Sequence, residues 1–328
     1  MRIMQRLLLA AACAAAAFTA GAARAQDYPT RPIKILVPYA PGGATDYAAR
    51  LVTEKAKVIL GQNIVIENRT GAGGIIALEE MARAKPDGYT LMIGNVSTNA
   101  ITPVLFPKRM SINYERDVAP VARLLITPSV LTVNADYPPR TFQAFVDDAK
   151  KNPGKVRYAS TGIGSFVHFD MEMLARKLGL DLIHIPYKGG AGDAIKGLVS
   201  GDVNVGSTNA VLGLSLSKAG KIVILATNMP ERIKQIPDVP TFAELGHPGQ
   251  GTLNWSMVFA PAGVPPEVIT RLHRAFTDAA RDPAIMAAAE KTGTFDYTLD
   301  SQAETAAFLK DEMAKWRKTV SEIKIEMN

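Results

Sequence analysis

From residue 33 onward, short apolar runs of period two alternate with longer stretches in which apolar residues recur every three or four positions. Ile33, Ile35 and Val37 predict a strand, and Ala48, Leu51, Val52 and Ile59 mark one face of a helix that stops at Gly61. Ile64-Val65-Ile66 predicts a second strand. Ile76, Leu78 and Met81 predict a second helix, and Tyr89 to Ile93 a third strand after the turn Pro86-Asp87-Gly88. The βαβαβ order implies a parallel sheet with right-handed crossovers.

Two apolar runs between Val121 and Val133 are split by Thr127-Pro128, which reads as a crossing out of this first unit. A second α/β series follows: a helix from Phe142, a strand Val156 to Ser160, a helix to Leu178 and a strand Leu182 to Pro186. It continues with a helix near Ala194 to Val199, a strand Val203 to Gly206, a helix from Asn209 and a strand Ile222 to Thr227. Pro230, Pro237 and Pro240 make the next segment an extended return path. The tail, from Trp255 through helices at Pro265 to Arg281, Pro283 to Lys291 and Ala303 to Ile323, has too little strand for a third sheet and is expected to cover the first. The expected organisation is a leader at 1–25, a first lobe at 26–125, a second lobe at 126–228 and a return to the first lobe at 229–328. Two open α/β lobes joined by two crossings make a hinged clamshell, and ligands of such sheets sit beyond the carboxyl ends of the strands.

The N-terminus departs from this pattern. Arg2 and Arg6, the apolar run Leu7 to Ala20 and the small-x-small triplet Ala23-Arg24-Ala25 read as a secretory signal with cleavage after Ala25, which points to a periplasm. The single cysteine, Cys13, lies inside that run, so the mature chain is expected to hold no disulfide or thiol chemistry. Removing Arg2, Arg6 and Arg24 leaves 34 basic against 31 acidic residues, a net charge of about +3 without basic clusters. That balance gives no reason to expect nucleic acid or a membrane surface as partner.

Four turns at predicted strand ends share one composition: Pro41-Gly42-Gly43-Ala44-Thr45, Gly71-Ala72-Gly73-Gly74, Gly94-Asn95-Val96-Ser97-Thr98-Asn99 and Ser160-Thr161-Gly162-Ile163-Gly164-Ser165. Thr45 is the expected N-cap of the first helix, with Asp46 favourably placed in its first turn. Each turn offers bare amides and neutral hydroxyls or amides, and none offers Lys or Arg. Such donors suit a carboxylate, although amide-rich turns accept phosphate too. Any one turn could serve the backbone alone; four at corresponding ends predict a shared cleft. The glycine spacing matches neither a dinucleotide fingerprint nor a Walker loop.

Among the histidines, His168, His184, His247 and His273, no pair has metal-ligand spacing, so no metal or other cofactor is expected. His168 follows Gly164-Ser165 closely enough to face the cleft. Ser165 lacks the Gly-x-Ser-x-Gly setting, and His168 belongs to the same helical turn, which disfavours a serine hydrolase. Tyr187-Lys188-Gly189-Gly190 lies at another strand end, where Lys188 could meet an anion. Tyr39 and Trp255 could wall the ligand or serve the core.

At these residues the sequence resembles the substrate-binding receptors of tripartite tricarboxylate transporters, the Bug receptors. The likeness rests on Ile-Leu-Val-Pro-Tyr-Ala-Pro-Gly-Gly-Ala-Thr-Asp (35–46), Val-Ile-Glu-Asn-Arg-Thr-Gly-Ala-Gly-Gly (65–74) and Lys-Pro-Asp-Gly-Tyr-Thr-Leu (85–91). It extends to Asn-Pro-Gly-Lys-Val-Arg-Tyr-Ala-Ser (152–160), Ile-Pro-Tyr-Lys-Gly (185–189), Ile-Pro-Asp-Val-Pro-Thr (236–241) and Phe-Ala-Pro-Ala-Gly-Val-Pro (259–265). The resemblance implies an α/β, two-lobed periplasmic-binding-protein fold of the Venus flytrap type II class, two open sheets with flanking helices joined by two crossings. It implies a monomeric, non-enzymatic receptor that closes over a small organic carboxylate and delivers it to integral-membrane permease subunits. A ligand-occupancy sensor for a membrane kinase is the alternative the residues leave open.

In that family the first-lobe turns cradle one carboxylate. Carried over, these are Gly42, Gly43, Thr45 and Asp46 with Gly71, Ala72 and Gly73; Tyr39, Pro41, Ser97 and Thr98 are added as ligand candidates from the composition of the turns themselves. The opposite lobe contributes Ser160, Thr161, Gly164 and Ser165 of the turn, His168, and Thr208 and Asn209 of the loop after Gly206; Tyr187 is added as a candidate from its own strand end. One position departs from the family pattern, in which Phe-Asp-Asn is usual where this chain has Ser207-Thr208-Asn209. Replacing that acid by neutral Thr208 argues against an amino-acid ligand and for a second anionic or neutral group.

Overall fold

The structure is a computed structural model that describes residues 28–187, 190–323 and 325. The leader with Cys13 and its expected cleavage point lies outside the described residues, as does Lys188. The chain opens with β1 (Ile33–Val37), α1 (Ala44–Leu60), β2 (Ile64–Asn68), α2 (Ile75–Ala82) and β3 (Thr90–Asn95). A short α3 (Thr102–Leu105) and α4 (Tyr114–Asp117) lead into β4 (Val118–Thr127). The second unit contains β5 (Ser129–Asn134), α5 (Phe142–Lys151), β6 (Val156–Ser160), α6 (Phe166–Leu178) and β7 (Leu182–Pro186). It ends with α7 (Ala191–Ser200), β8 (Val205–Asn209), α8 (Ala210–Lys218) and β9 (Ile222–Thr227). The chain then returns as β10 (Asn254–Pro261), α9 (Pro266–Ala280), α10 (Pro283–Glu290), β11 (Phe295–Asp296) and α11 (Gln302–Glu322).

These strands form two sheets, ordered β11-β4-β10-β3-β1-β2 and β7-β6-β8-β5-β9. β1 pairs parallel with β2 and β3, as the βαβαβ pattern predicts, whereas β10 is antiparallel to both β3 and β4. The second sheet is mixed in the same way, with β5 antiparallel to β8 and β9. Together they make an α/β two-lobed fold.

The tail does more than cover the first sheet. β10 is fully buried and sits inside that sheet, with Trp255, Met257 and Phe259 in one core and Val258 and Ala260 in the other. A strand buried on both faces shows no polar alternation, so its period is invisible in sequence. β8 also runs past the expected Gly206. Ser207, Thr208 and Asn209 pair with Leu131, Val130 and Ser129 of β5, and the ladder extends the strand despite weak local propensity.

Pro128 stands between β4 and β5, and with no N–H to offer a ladder it is where the chain changes sheets. The return path runs beside it. Ser129 N–H donates to Asn228 Oδ1 at 2.9 Å, Asn228 N–H donates to Ser129 O at 3.2 Å, and Asn228 Nδ2 donates to Thr252 O at 2.6 Å. Buried Asp170 of α6 accepts from Thr252 N–H at 2.9 Å and from Thr252 Oγ1 at 2.6 Å, which ties α6 to the same crossing. One residue earlier, Phe169 packs edge-on against Trp316 of α11 with ring centroids 5.3 Å apart. Among the described residues no helix is long and apolar enough to cross a membrane.

Candidate functional site

A cavity of about 340 Å³ lies between the two sheets, walled by turns from both. On the first-sheet side the chain leaves β1 through Pro38 to Gly43 and enters α1. The N-cap is Gly43, in extended backbone with no side-chain cap bond, rather than the expected Thr45. Thr45 falls inside the first turn, where its Oγ1 accepts from Asn95 Nδ2 at 3.1 Å. After β2, Gly71 opens a 3-10 turn, Ala72–Gly74, and Gly74 in left-handed backbone caps α2, both without a side-chain bond. Across the cavity, Gly190 caps α7 in the same bare way.

Several other helix starts carry a side-chain cap, although α9, whose N-cap Pro265 lies away from the cavity, is bare as well. Ser165 caps α6 by accepting from His168 N–H, Asn209 caps α8 by accepting from Leu212 N–H, and Thr141, Asp282 and Ser301 cap more distant helices. Among the described helices the glycine N-caps are Gly43, Gly71, Gly74 and Gly190, and all four line the cavity. The first amides of those turns therefore have no capping side chain from their own N-cap, and each helix start presents positive potential there. No charged residue or histidine lies among the described lining residues.

Asn95 organises the first-sheet wall. Its Oδ1 accepts from Tyr39 Oη at 2.8 Å, Ser97 N–H at 3.0 Å and Thr98 N–H at 3.3 Å. Burial pushes the Tyr39 hydroxyl up to about 12, so it stays a neutral donor already committed to Asn95. The tyrosine ring is the part of Tyr39 that walls the cavity. Opposite stand apolar Phe166, Val167, Ala194, Ile195, Leu198 and Leu212.

Of the residues singled out from sequence, Tyr39, Pro41, Gly42, Gly43, Thr45, Gly71, Ala72, Gly73 and Ser97 line the cavity from one side, and Thr161, Thr208 and Asn209 from the other. Seven do not line it. Asp46 is 2 % exposed and accepts from Gly42 N–H, Arg50 Nε and Asn68 Nδ2, each at 2.9 Å, so it shapes the turn from behind and uses the Gly42 amide to do so. Burial opposes ionisation of this carboxyl, but the bonds from Arg50, Asn68 and Gly42 hold it below the ordinary 3.8. Thr98 is fully buried, and its Oγ1 donates to Asn99 Oδ1 at 2.8 Å.

The turn after β6 points its polar groups inward. Ser160 Oγ lies 2.6 Å from His184 Nε2, Gly164 N–H donates to His168 Nδ1 at 3.1 Å, and Ser165 is spent on its cap. His168 stacks on His184, centroids 3.8 Å apart and planes at 17°, so it braces the turn rather than facing the cleft. Tyr187 packs over Gly197, where any side chain would meet its hydroxyl. Trp255 belongs to the core, its Nε1 donating to Glu312 Oε2 at 3.0 Å. Sequence reasoning missed Asn95 as an organiser, although its turn was noted. It also missed Asn254 and the apolar wall, which had no signal because helical periodicity does not say which apolar face meets a ligand.

Burial lowers His168 to about 4; His184 is lowered to about 4 by burial first and then by His168, against a smaller opposing pull from Glu172. Both are neutral in the native protein at pH 7. Unfolded histidines titrate near 6.5, so between about 6.5 and 4 the unfolded chain binds more protons and stability falls as pH falls. Asp170, pushed up to about 6 by burial, acts in the opposite sense over part of that window, but one carboxyl does not offset two histidines. The melting temperature should drop between pH 7 and pH 5, and the drop should shrink in His184→Gln. An unchanged wild-type melting temperature across that range would contradict the neutral stacked pair.

A family model described as "Tripartite tricarboxylate transporter family receptor" matches residues 48–325. A solved structure described as a periplasmic transporter is 37 % identical, with a TM-score of 0.86 over 92 % of this chain and 100 % of its own. MatC from Rhodopseudomonas palustris, solved with bound malate, is 31 % identical, with a TM-score of 0.82 over 89 % of this chain and 100 % of its own. A second R. palustris protein, solved with adipate, is 28 % identical, with a TM-score of 0.84 over 90 % of this chain and 97 % of its own.

Proposed function

The chain belongs to the tripartite tricarboxylate transporter receptor family, and on that premise we propose that it is a monomeric periplasmic receptor that binds a small organic carboxylate and presents it to integral-membrane permease subunits. The observation that carries the reading is the gathering of the glycine-capped helix starts, Gly43, Gly74 and Gly190, on one cavity without a charged lining residue. An anion there takes the place of the missing caps, and amide donors together with helix-end potential stabilise it without a fixed cation. MatC binds malate and the second relative adipate, which supports a carboxylate as the ligand here.

Lobe closure supplies the rest. The acid group meets the turns at Gly43 and Gly71 to Gly74, while the body of the ligand meets Phe166, Ile195 and Leu212 from the other sheet. A ligand that touches both walls only when they are close shifts the population towards the closed form. Residues 26–125 with 229–328 form one lobe and 126–228 the other in this reading. Nothing in the cavity pairs a nucleophile with a base among the described residues, so binding without turnover is the expected behaviour.

A thermal-shift panel of mono-, di-, tri- and aromatic carboxylates tests the proposal. At a hundredfold excess over Kd a ligand adds about 2.7 kcal/mol to stability, so at least one acid should raise the melting temperature by several degrees while its amide does not. No response to any acid would overturn the reading. Thr208 lines the second-sheet wall, and Thr208→Asp should weaken a bound dianion more than a monoanion; equal losses would remove Thr208 from the choice of ligand.

A further inference from the structure

We infer that α6 is the pivot on which the two lobes turn, a third link beside the two chain crossings; the inference rests on the lobe closure proposed above. α6 carries two apolar stripes. Phe166, Phe169 and Met173 recur at i, i+3 and i+7 and pack in the first lobe's core with Trp255 of β10 and with Met313 and Trp316 of α11. Met171, Leu174, Ala175 and Leu178 recur at i, i+3, i+4 and i+7 on another side of the helix and pack in the second lobe's core with Phe145 and Tyr158. A helix that serves one core shows one stripe. Two stripes place α6 between two cores along its length.

Polar bonds hold the first turns of α6 to the first lobe and its return segment. Phe166 N–H donates to Ser97 Oγ at 3.1 Å, and Asp170 accepts from Thr252 through both carboxylate oxygens. Gln250 Nε2 donates to the Asp170 carbonyl at 2.9 Å. Gly164, just before the helix, has no room for a side chain because Leu105 and Phe106 of the first lobe stand against it.

Close-packed cores do not deform freely, so neither lobe slides off such a helix at low cost. Rotation about a line close to α6 is the motion that keeps both sets of contacts. The crossings lie beside it: Thr252 bonds both Asp170 and Asn228, and Asn228 bonds Ser129. α7 packs on the opposite face of the second sheet, where Ala194 and Leu198 meet Ala159, the neighbour of Tyr158 in β6. Its bare start at Gly190 therefore swings through a wider arc than Phe166, which keeps its bond to Ser97. Residues 126–228 then do not move as one body, because α6 stays with both lobes.

The test measures three distances on the mature chain by pulsed electron paramagnetic resonance. Cys13 lies in the leader, so spin labels attach only at added cysteines. Val58→Cys on α1, Lys177→Cys on α6 and Lys196→Cys on α7, all at exposed helix positions, are combined in pairs. Malate or adipate should shift the Val58–Lys196 distance by more than about 2 Å and leave Val58–Lys177 and Lys177–Lys196 within about 1 Å. Without ligand, the Val58–Lys196 distribution should already be the broadest of the three. A Val58–Lys177 distance that changes along with Val58–Lys196 would put α6 in the second lobe, and a changing Lys177–Lys196 distance would put it in the first; either overturns the pivot. If neither acid shifts any pair, the ligand-free widths decide: equal widths overturn the pivot, and a broad Val58–Lys196 pair upholds it. Failure of the carboxylate reading shows separately, in the thermal-shift panel, which does not depend on these labels.

Discussion

Gly74→Ala should abolish ligand binding and cost the fold about 2–5 kcal/mol. Gly74 has φ +94°, where an L-residue pays about 1–2 kcal/mol. A Cβ there would overlap the Thr98 methyl and stand 3.1 Å from Pro38 Cβ. Thr98 cannot move aside freely, because it is fully buried and its N–H is bonded to Asn95. Overpacking of such a site typically adds about 1–3 kcal/mol. The damage falls on two turns at once, since Gly74 caps α2 and Pro38 begins the turn into α1. Gly73→Ala is the control. Gly73 has φ +66° and nothing within 4 Å of the added methyl, so it should show the backbone cost alone and retain its fold. Denaturant titrations of both variants with calorimetry of ligand binding would decide the point, and equal destabilisation of the two would refute close packing as the reason for glycine at 74.

The contrast between these glycines bears on how much the chain reveals of itself. Gly42, Gly43, Gly71 and Gly73 were legible as cavity residues because a strand followed by small residues and then a helical period leaves few places for the turn to go. The same logic failed at Asp46, Ser160, Ser165 and His168. Their types announce polar chemistry, but each is satisfied by a neighbour close in space: Arg50 and Asn68, His184, the His168 amide, and the Gly164 amide. Sequence shows that such groups are near a turn; Asp46 and Ser160 are turned away by β2 and β7, distant in the chain, while Ser165 and His168 are taken by backbone amides of their own turn. β10 was unreadable for the opposite reason, as burial on both faces erased its polar rhythm. Asn254, at the start of that strand and on the cavity wall, went unnoticed with it.

Asn95→Leu, close to isosteric, should cost about 3–5 kcal/mol and leave no measurable carboxylate binding. The substitution strips the acceptor from Tyr39 Oη, Ser97 N–H and Thr98 N–H together and the donor from Thr45 Oγ1. Each buried group left unpaired costs about 1–3 kcal/mol, though the amides nearest the cavity regain water and fall at the low end. Tyr39→Phe alone should cost about 0.5–1.5 kcal/mol, because it removes one bond and leaves Asn95 Oδ1 with two other donors. In the double variant the tyrosine hydroxyl is no longer stranded, so the loss should fall short of the sum of the singles by about 1 kcal/mol. Strict additivity would mean that the tyrosine hydroxyl does not depend on Asn95, and the 2.8 Å bond would then have no energetic weight. Because burial pushes Tyr39 up to about 12, the shortfall should be the same at pH 6 and pH 8. That constancy separates this network from the histidine pair across the cavity, whose contribution fades as the solution is acidified.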